Sequence, residues 1–430
     1  MNIQAPPVAE PAPAESTKAP PKRLVSVDAY RGLVMFLMMA EVLETGAVAK
    51  ALPKDTWWQS FWQFLHTQQS HVEWVGCALH DLIQPSFSFL VGVALPFSLA
   101  SRVARGQSLG KLWGHTLWRA FILVALGIFL RSLWSRQTNF TFEDTLTQIG
   151  LGYPLLVLLG LLSVRVQWGA FVLIVVGYWA AFAWYPLPGP EFDWKAAGVA
   201  ADWPNHLPGF AAHWNKNTNL AWHFDRWFMN LFPREKPFLH NGGGYATLSF
   251  IPTLGTMLFG LLAGGWLRAD LTHREKLLRF GYAGLAGLAL GLALHILGVC
   301  PIVKPIWTPA WVLFSGGWCF LFLAAFYLFI EVGKLRWLFF PLTVIGMNSI
   351  AAYCMDWMQR GIIGQSLDKH LGTIVYFFAG LVGKRSDIRL GPKFFDAFQP
   401  YTPFVHGALV LLVMWLILFW MYRRKLFLKI

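Results

Sequence analysis

Charged residues are scarce in this sequence. Only 13% of its 430 residues are Asp, Glu, Lys or Arg, against about 25% in soluble globular proteins, and 56% are hydrophobic. The composition therefore excludes an ordinary soluble domain. The apolar residues gather in runs of about 17–25 residues, the length that crosses a hydrocarbon core about 30 Å thick. The sequence predicts an all-α polytopic membrane protein, with the lipid bilayer as its first partner.

Cysteine is also sparse. The four cysteines (Cys77, Cys300, Cys319 and Cys354) form no C-x-x-C pair, so a zinc or redox motif is unsupported. The histidines are scattered over different loops and helices, and we expect no metal site. Cys77 and Cys300 are both predicted near the outer surface, where a disulfide and two buried free thiols are the alternatives.

A soluble basic domain is missing too, although the formal net charge is +13. The Lys and Arg residues lie mainly in short loops between apolar runs, where they set topology, and we expect no nucleic-acid partner. With the N-terminus in the cytoplasm, the basic loops all fall on the cytoplasmic side. These loops are 22–23, 102–111, 268–279 and 334–336, together with the terminal RRKLFLK.

About ten transmembrane helices with cytoplasmic N- and C-termini satisfy this rule. The predicted spans are 29–51, 81–101, 115–134, 147–164, 167–185, 247–267, 278–299, 308–331, 337–355 and 403–422. Residues 1–22 are rich in Pro and Ala and have no apolar core of a signal peptide, so we expect a disordered tail. Residues 23–430 are expected to form a single domain, in which the polar region 186–246 lies outside and caps or lines a site.

The segment QSHVEWVGCALHDLIQPSFSF, which begins at residue 69, places His71, Glu73, His80 and Asp81 at the mouth of the second predicted span. Asp81 is either a helix cap or a carboxylate that orients a histidine. His71 is either a plain loop residue or a general base near neutral pH, oriented by Glu73 or Asp81. His80 is either an interfacial residue or part of the same site.

Two predicted spans carry polar side chains in apolar surroundings. Glu41 lies deep in the first span, and ionisable groups inside spans are functional or paired. Asn348 lies in the ninth span, where it either holds helices together by hydrogen bonds or lines a ligand path.

The run SVDAYRG opens the first span at its cytoplasmic end. Ser26 or Asp28 is predicted to cap the helix, with Arg31 one turn further in. The alternative is that Arg31 receives a phosphate group of a cytosolic ligand.

These residues resemble a known family. RLVSVDAYRGLVMFLMMAEV is similar to the opening of the heparan-α-glucosaminide N-acetyltransferase family. The family's next block stands here as His71, Trp74, Gly76, Asp81, Leu82, Pro85, Phe87, Phe89 and Gly92. WRAFILVALGIFLRS, IWTPAWVLFSGG and GMNSIAAY resemble later blocks in the same order, so the resemblance covers nearly the whole chain from residue 23. Within the family, the sequence looks most like the bacterial DUF5009-type branch.

The resemblance implies an acyltransferase of the bacterial inner membrane. It would move an acetyl group from cytosolic acetyl-CoA, as co-substrate, to an extracytoplasmic amino sugar or glycan. His71 takes the position of the catalytic histidine, with Asp81 orienting it, and Asp28 and Arg31 are expected near the CoA phosphates. The histidine either carries the acetyl group or deprotonates the acceptor for direct attack; we favour direct transfer.

Three departures from the family pattern concern the site. An Asn near the outer end of the first span is replaced by Val42, beside Glu41, and the L-Q-R motif reads Leu146, Thr147, Gln148. The D-P-E-G motif is replaced by HNGGGY, which spans residues 240–245. These changes suggest a different acceptor or the loss of acetyl transfer.

We expect Glu41 to join His71 and Asp81 in the catalytic set. The predicted substrate-binding residues are Glu73, Trp74, His80, His240, Asn241, Tyr245 and Asn348. The competing hypothesis is a transporter or binding protein that keeps the scaffold without chemistry. Turnover of a CoA thioester would separate the two, and self-association into a homo-oligomer is left open.

Overall fold

The computed structural model of the chain describes residues 24–370 and 399–428, and its regular elements in these ranges are all helices. The predicted all-α membrane fold is therefore confirmed. The predicted tail 1–22 lies outside the described residues. The orientation of the termini stays a prediction.

The helices follow one another with short connections except in residues 186–246, which are called the outer region after their predicted side of the membrane. They are α1 (Val25–Met39), α2 (Thr45–Ala51), α3 (Trp57–Gln68), α4 (Ile83–Ala104), α5 (Leu109–Ser132), α6 (Thr145–Gly160), α7 (Val164–Ala183), α8 (Trp194–Ala197), α9 (Leu220–Phe228), α10 (Phe250–Arg268), α11 (His273–Ile296), α12 (Pro309–Tyr327), α13 (Phe340–Met347), α14 (Ser349–Met358) and α15 (Thr402–Arg423). A further helical stretch covers residues 360–370.

Eight helical stretches of the described residues are long and apolar enough to cross a bilayer. They are Val25–Ala51, Leu79–Ala104, Leu109–Ser132, Val164–Ala183, Thr247–Arg268, His273–Ile296, Pro309–Val332 and Thr402–Arg423. The chain is accordingly a multi-pass membrane protein.

The two other predicted spans are helical but shorter than a full crossing. The segment 147–164 corresponds to α6, which has 16 residues. The segment 337–355 is divided into α13 and α14 at Asn348, whose backbone (φ −126°, ψ 41°) leaves the helical region. The Asn348 side chain forms hydrogen bonds with the backbone of Leu426 and Leu428, which are distant in sequence, at the point where the helix is interrupted.

Glycines let the helices beside the site approach closely. A Cβ on Gly92 of α4 would lie 1.9 Å from the backbone oxygen of Met257, and one on Gly260 of α10 would lie 1.8 Å from that of Phe89. Only glycine fits at such backbone contacts, which are typical of packed membrane helices. The contact fixes α4, whose first turn follows directly after Asp81.

Two loops meet at one end of this helix pair. Val75 and Val303 form an isolated antiparallel bridge, and the Gly76 amide donates to the Ile302 carbonyl at 3.0 Å. Gly76 has a φ of +120°, which favours glycine. The pairing brings the buried loop between α11 and α12 against the loop that carries His71.

Candidate active site

A histidine and a carboxylate form the centre of the site. Nδ1 of His71 lies 2.7 Å from Oδ1 of Asp81. His71 comes from the loop after α3, and Asp81 from the short 3-10 turn Leu79–Leu82 that leads into α4. The carboxylate is 1% exposed whereas the imidazole is 47% exposed. The buried carboxylate therefore fixes the Nδ1 side of the ring, and the rest of the imidazole is open to a ligand.

Asp81 is both a helix-start residue and the partner of His71. Its Oδ2 accepts hydrogen bonds from the amides of Val72 (3.2 Å) and Ala78 (3.0 Å). Its Oδ1 faces His71 and the ammonium group of Lys304, at 3.2 Å. A buried carboxylate needs such partners to remain ionised. The two interpretations of Asp81 from the sequence are therefore compatible with each other.

Lys304 is a buried cation at the same point. Its side chain is 5% exposed, and Nζ lies 3.1 Å from Nδ1 of His71 as well as within reach of Asp81. Nζ also lies 5.9 Å from the centre of the Tyr245 ring. Lys304 thus neutralises Asp81 and adds positive charge beside the histidine.

These contacts decide the protonation of His71. Because Asp81 is an acceptor paired with a cation, the short contact requires the proton on Nδ1, which leaves the lone pair on Nε2. Burial lowers the pKa of His71, and the charge of Lys304 lowers it further, against the opposing effect of the Asp81 hydrogen bond. The imidazole is therefore neutral at pH 7, as a general base must be.

A second histidine–carboxylate pair lies beside the first. Nε2 of His80 lies 2.8 Å from Oε1 of Glu41, and Arg360 lies 3.4 Å from Oε2 of Glu41. The rings of His71 and His80 are 4.6 Å apart. Here the histidine is 5% exposed and the carboxylate is 42% exposed. The structure therefore brings Glu41 next to the first pair through His80.

His71 and both members of the second pair line one cavity of about 400 Å³, and Asp81 lies buried behind its wall. Its other walls combine apolar side chains with acids, an arginine and residues of the outer region. The lining residues are Met35, Met38, Glu41, His71, His80, Ile83, Gln84, Phe87, Arg131, Glu143, Asp144, Thr145, Asn241, Gly243, Tyr245, Lys304, Tyr353, Asp356 and Trp357. A concave site with a few convergent polar groups is typical of small-molecule binding.

Three predicted binding residues lie beside this cavity and do not line it. Glu73 accepts hydrogen bonds from Trp203 (3.0 Å) and Asn205 (2.8 Å) of the outer region. Trp74 is buried and donates to the Trp214 carbonyl at 3.1 Å. Nδ1 of His240 lies 2.9 Å from the Ala196 carbonyl. Their contacts hold the outer region over the site.

Asn348 has a structural contact away from the cavity. Its Nδ2 donates to the Leu426 carbonyl at 2.9 Å, and its Oδ1 accepts from the Leu428 amide at 3.2 Å. Asn348 was predicted either to hold helices together by hydrogen bonds or to line a ligand path. The structure shows it joining separate chain segments by hydrogen bonds.

Asp28 and Arg31 lie in the first turns of α1, where their side chains are 3.3 Å apart, and neither lines the cavity. The predicted cap was wrong. The residue before α1 is Leu24, no side chain caps the helix from that position, and the Ser26 amide donates to Glu331 at 3.1 Å. A carboxylate from the π-helical turn Leu328–Val332, which follows α12, satisfies the amide instead.

Sequence reasoning missed Lys304 and Arg360. Lys304 had a signal, since CPIVKPIW places a lone lysine in an apolar loop on the predicted outer side, against the usual distribution of positive charge. Arg360 had none, because it lies 319 residues from its partner Glu41.

The described residues contain no group of three or more His, Cys, Asp or Glu side chains placed to hold a metal ion. The four cysteines are free thiols. Burial raises the pKa of Cys77, the cysteine near His71, to about 12. Such a thiol is protonated at pH 7 and is a poor nucleophile.

Comparison with known proteins points to one family. Human heparan-α-glucosaminide N-acetyltransferase is 25% identical over 374 residues, which is 77% of this chain and 52% of the human protein. The mouse protein of the same name is 22% identical over 384 residues, 79% of this chain and 54% of its own length. No family model matches. The chain spans about half the length of these relatives, and its bacterial origin stays a prediction. The two matches confirm the resemblance seen in the motifs and support membership of this chain in the heparan-α-glucosaminide N-acetyltransferase family.

Proposed function

We propose that this protein is a membrane acetyltransferase that moves an acetyl group from acetyl-CoA to an amine or hydroxyl group of an extracytoplasmic sugar. The observation that carries the proposal is the half-exposed His71, held through Nδ1 by a buried carboxylate at 2.7 Å. The named activity of the two relatives supports the same reaction class.

The chemistry needs one base and one acceptor. Nε2 of His71 takes the proton from the acceptor nitrogen or oxygen, which attacks the carbonyl carbon of the acetyl thioester. The carbon–sulfur bond breaks, and the CoA thiolate leaves and takes the proton from the imidazolium. Asp81 stabilises the imidazolium while the proton is held, as the carboxylate does in histidine-based hydrolases. The products are the acetylated sugar and CoA.

Direct transfer fits the neutral, oriented base better than an acetyl-histidine does. Both routes use the Nε2 lone pair, but direct transfer asks the ring only to take and return a proton. The charged groups around it, Lys304 and Asp81, stay fixed through such a cycle. Preorganised charges of this kind lower the barrier without reorganisation.

Acetyl-CoA is a co-substrate with anionic phosphates. Arg131 is the arginine that lines the cavity, where its guanidinium lies 4.9 Å from the centre of the Trp357 ring. Arg31 stays a candidate for the CoA phosphates at the other end of α1, because an arginine fork matches phosphate geometry. The proposal includes that cytosolic acetyl-CoA reaches this site within the bacterial inner membrane.

Thiol release from acetyl-CoA tests the proposal. Purified wild-type protein is incubated with acetyl-CoA and a panel of amino sugars and sugar alcohols. His71→Ala should abolish release, and His223→Ala, which removes an exposed histidine of the outer region, should not. Equal unfolding temperatures of the three proteins establish that folding is retained.

Activity that persists in His71→Ala would refute the assigned base. If folded wild-type protein consumes no acetyl-CoA with any acceptor, the proposed reaction is wrong. Solute uptake into vesicles would then support the transport hypothesis.

A further inference from the structure

A second, smaller chamber adjoins the main cavity. Its volume is about 200 Å³, an order of magnitude above the roughly 10–15 Å³ that one water molecule needs. It is lined by Asn139, Thr141, Glu143, Asp225, Met229, Arg234, Phe238, His240, Asn241, Gly242 and Tyr245. Glu143, Asn241 and Tyr245 also line the main cavity. The two spaces therefore share a wall, and the chamber lies next to His71 and the groups around it.

Asp225 is the unexplained group of this chamber. It is 4% exposed, its Oδ2 accepts from the Thr247 amide at 2.9 Å, and its Oδ1 has no hydrogen-bond partner. A buried carboxylate oxygen without a partner costs free energy that a bound ligand can recover. Burial also raises the pKa of Asp225 to about 7. As a carboxylate its free oxygen can accept a hydrogen bond, and as a neutral carboxyl it can donate one, so both protonation states can pair with a hydroxyl group.

The remaining charges of the chamber favour a neutral, donor-rich ligand. Glu143 adds a second carboxylate, which accepts from the Phe142 amide at 3.1 Å and from the Thr141 hydroxyl. The guanidinium of Arg234 is held by the backbone carbonyls of Met229 (2.6 Å) and Phe140. An anionic group would meet Glu143 and the ionised form of Asp225, and these two carboxylates outnumber the single guanidinium of Arg234. Hydroxyl groups would find two acceptors.

We propose that this chamber is a second sugar subsite, which holds a neutral, hydroxyl-bearing ring linked to the ring that is acetylated. Asp225 and Glu143 accept hydrogen bonds from its hydroxyl groups. The proposal rests on the proposed function and deepens it, because it makes the acceptor at least a disaccharide and disfavours a sulfated one.

Gly242 offers a way to close the chamber without disturbing it. It lines the chamber, and a Cβ placed on it meets no heavy atom within 4 Å. Gly242→Leu should therefore fold and occupy the space by bulk. Asp225→Asn acts differently, because it keeps the shape and removes the charge. Two variants with unrelated mechanisms guard against a folding defect in either one.

Direct binding tests the subsite separately from catalysis. The probes are glucosamine, glucosamine linked β-1,4 to N-acetylglucosamine, and the same disaccharide with a 6-O-sulfate on its second ring. Their dissociation constants are measured by calorimetry on detergent-purified protein without acetyl-CoA. The wild type should bind the neutral disaccharide at least about tenfold tighter than glucosamine, the size expected for one hydrogen bond to a charged group. The sulfated disaccharide should lose that advantage.

The variants decide the assignment. Asp225→Asn and Gly242→Leu should each remove the disaccharide advantage and leave glucosamine binding unchanged. Asp202→Asn and Gly189→Leu, at exposed positions of the outer region, should bind like the wild type. The proposal is overturned if the wild type binds no probe or binds the disaccharide no tighter than glucosamine. It is also overturned if both chamber variants keep wild-type binding. A protein that binds the disaccharide yet transfers no acetyl group would refute the proposed function alone.

Discussion

Replacing Asp81 by Asn should separate the two tasks of this carboxylate. The change leaves the ammonium group of Lys304, which is 5% exposed, without its carboxylate at 3.2 Å. Breaking a buried ion pair by removing one partner costs about 3–5 kcal/mol. The closeness of His71 and of two backbone amides adds to the loss, so we expect the upper part of this range and a clearly lower unfolding temperature.

The second effect of Asp81→Asn concerns the proton of His71. Asn has one acceptor oxygen, and the carboxylate it replaces faces two backbone amides on one side and His71 on the other. If the oxygen keeps the amides, the side-chain NH₂ points at Nδ1 and moves the ring proton to Nε2. The base is then blocked. Loss of a general base lowers rates by roughly 10²–10⁴-fold.

A double variant distinguishes these effects. Asp81→Asn with Lys304→Met removes both charges, so most of the lost stability should return. Transfer should stay low, because the histidine is still misoriented. Lys195→Met, which removes an exposed lysine of the outer region, is the control for loss of positive charge. Thermal unfolding followed by tryptophan fluorescence and thiol release from acetyl-CoA give the two readouts.

Two outcomes would refute this reasoning. If the double variant unfolds at the temperature of the single variant, Asp81 and Lys304 are not energetically coupled. If either variant transfers acetyl groups at the wild-type rate, Asp81 does not position the base.

The same contacts support two further predictions, and the predicted topology supports a third. Lys304→Met removes a positive charge that lowers the pKa of His71, so the imidazole should bind its proton at higher pH. The acid limb of the rate–pH profile should therefore move to higher pH, and an unmoved limb would contradict this prediction. Glu41→Gln weakens the pairs with His80 and Arg360 and should lower acetyl transfer about tenfold. Protein yield should change little, since a half-exposed ion pair contributes only about 0–1 kcal/mol to stability. Normal turnover would assign Glu41 to structure. A cysteine placed at position 71 should react with an impermeant thiol reagent from the outer side, and labelling only from the cytoplasmic side would reverse the topology.

The sequence predicted the helices well because length and apolarity decide whether a segment can cross a bilayer. It predicted the second half of the α13–α14 segment less well. Asn348 bonds with the C-terminal residues, and nothing near it in the sequence indicates that contact. Sequence patterns within a segment predict a helix, but they do not predict an interruption that is caused by hydrogen bonds to residues distant in sequence.

Spacing predicted contacts in the site only where its members are close in sequence, whereas Glu41 was predicted from its charge within a span, and Asn241 and Tyr245 from the position of a family motif. His71 and Asp81 are ten residues apart, and one turn at the start of α4 is enough to join them. Lys304 reaches them through the pairing of two loops that are more than 200 residues apart. Asp225 became a candidate only when the structure showed that it lines a chamber and has a buried oxygen without a hydrogen-bond partner. Spacing within one loop carries information about contacts, whereas spacing between loops does not.

The two histidine–carboxylate pairs have opposite exposure, and this suggests a division of labour under the proposed function. In the first pair the carboxylate of Asp81 is buried and the imidazole of His71 is open. In the second pair His80 is buried and the carboxylate of Glu41 is open. In each pair the buried partner fixes the exposed one, and only the exposed group can touch a substrate. His71 is then the base, and Glu41, through Oε atoms that face the same cavity, is suited to hold the acceptor amine. Glu41 stands beside Val42, the position at which the resemblance described above leads us to expect an uncharged Asn. The exchange of an amide for a neighbouring carboxylate favours an acceptor that brings positive charge to the site before His71 removes its proton.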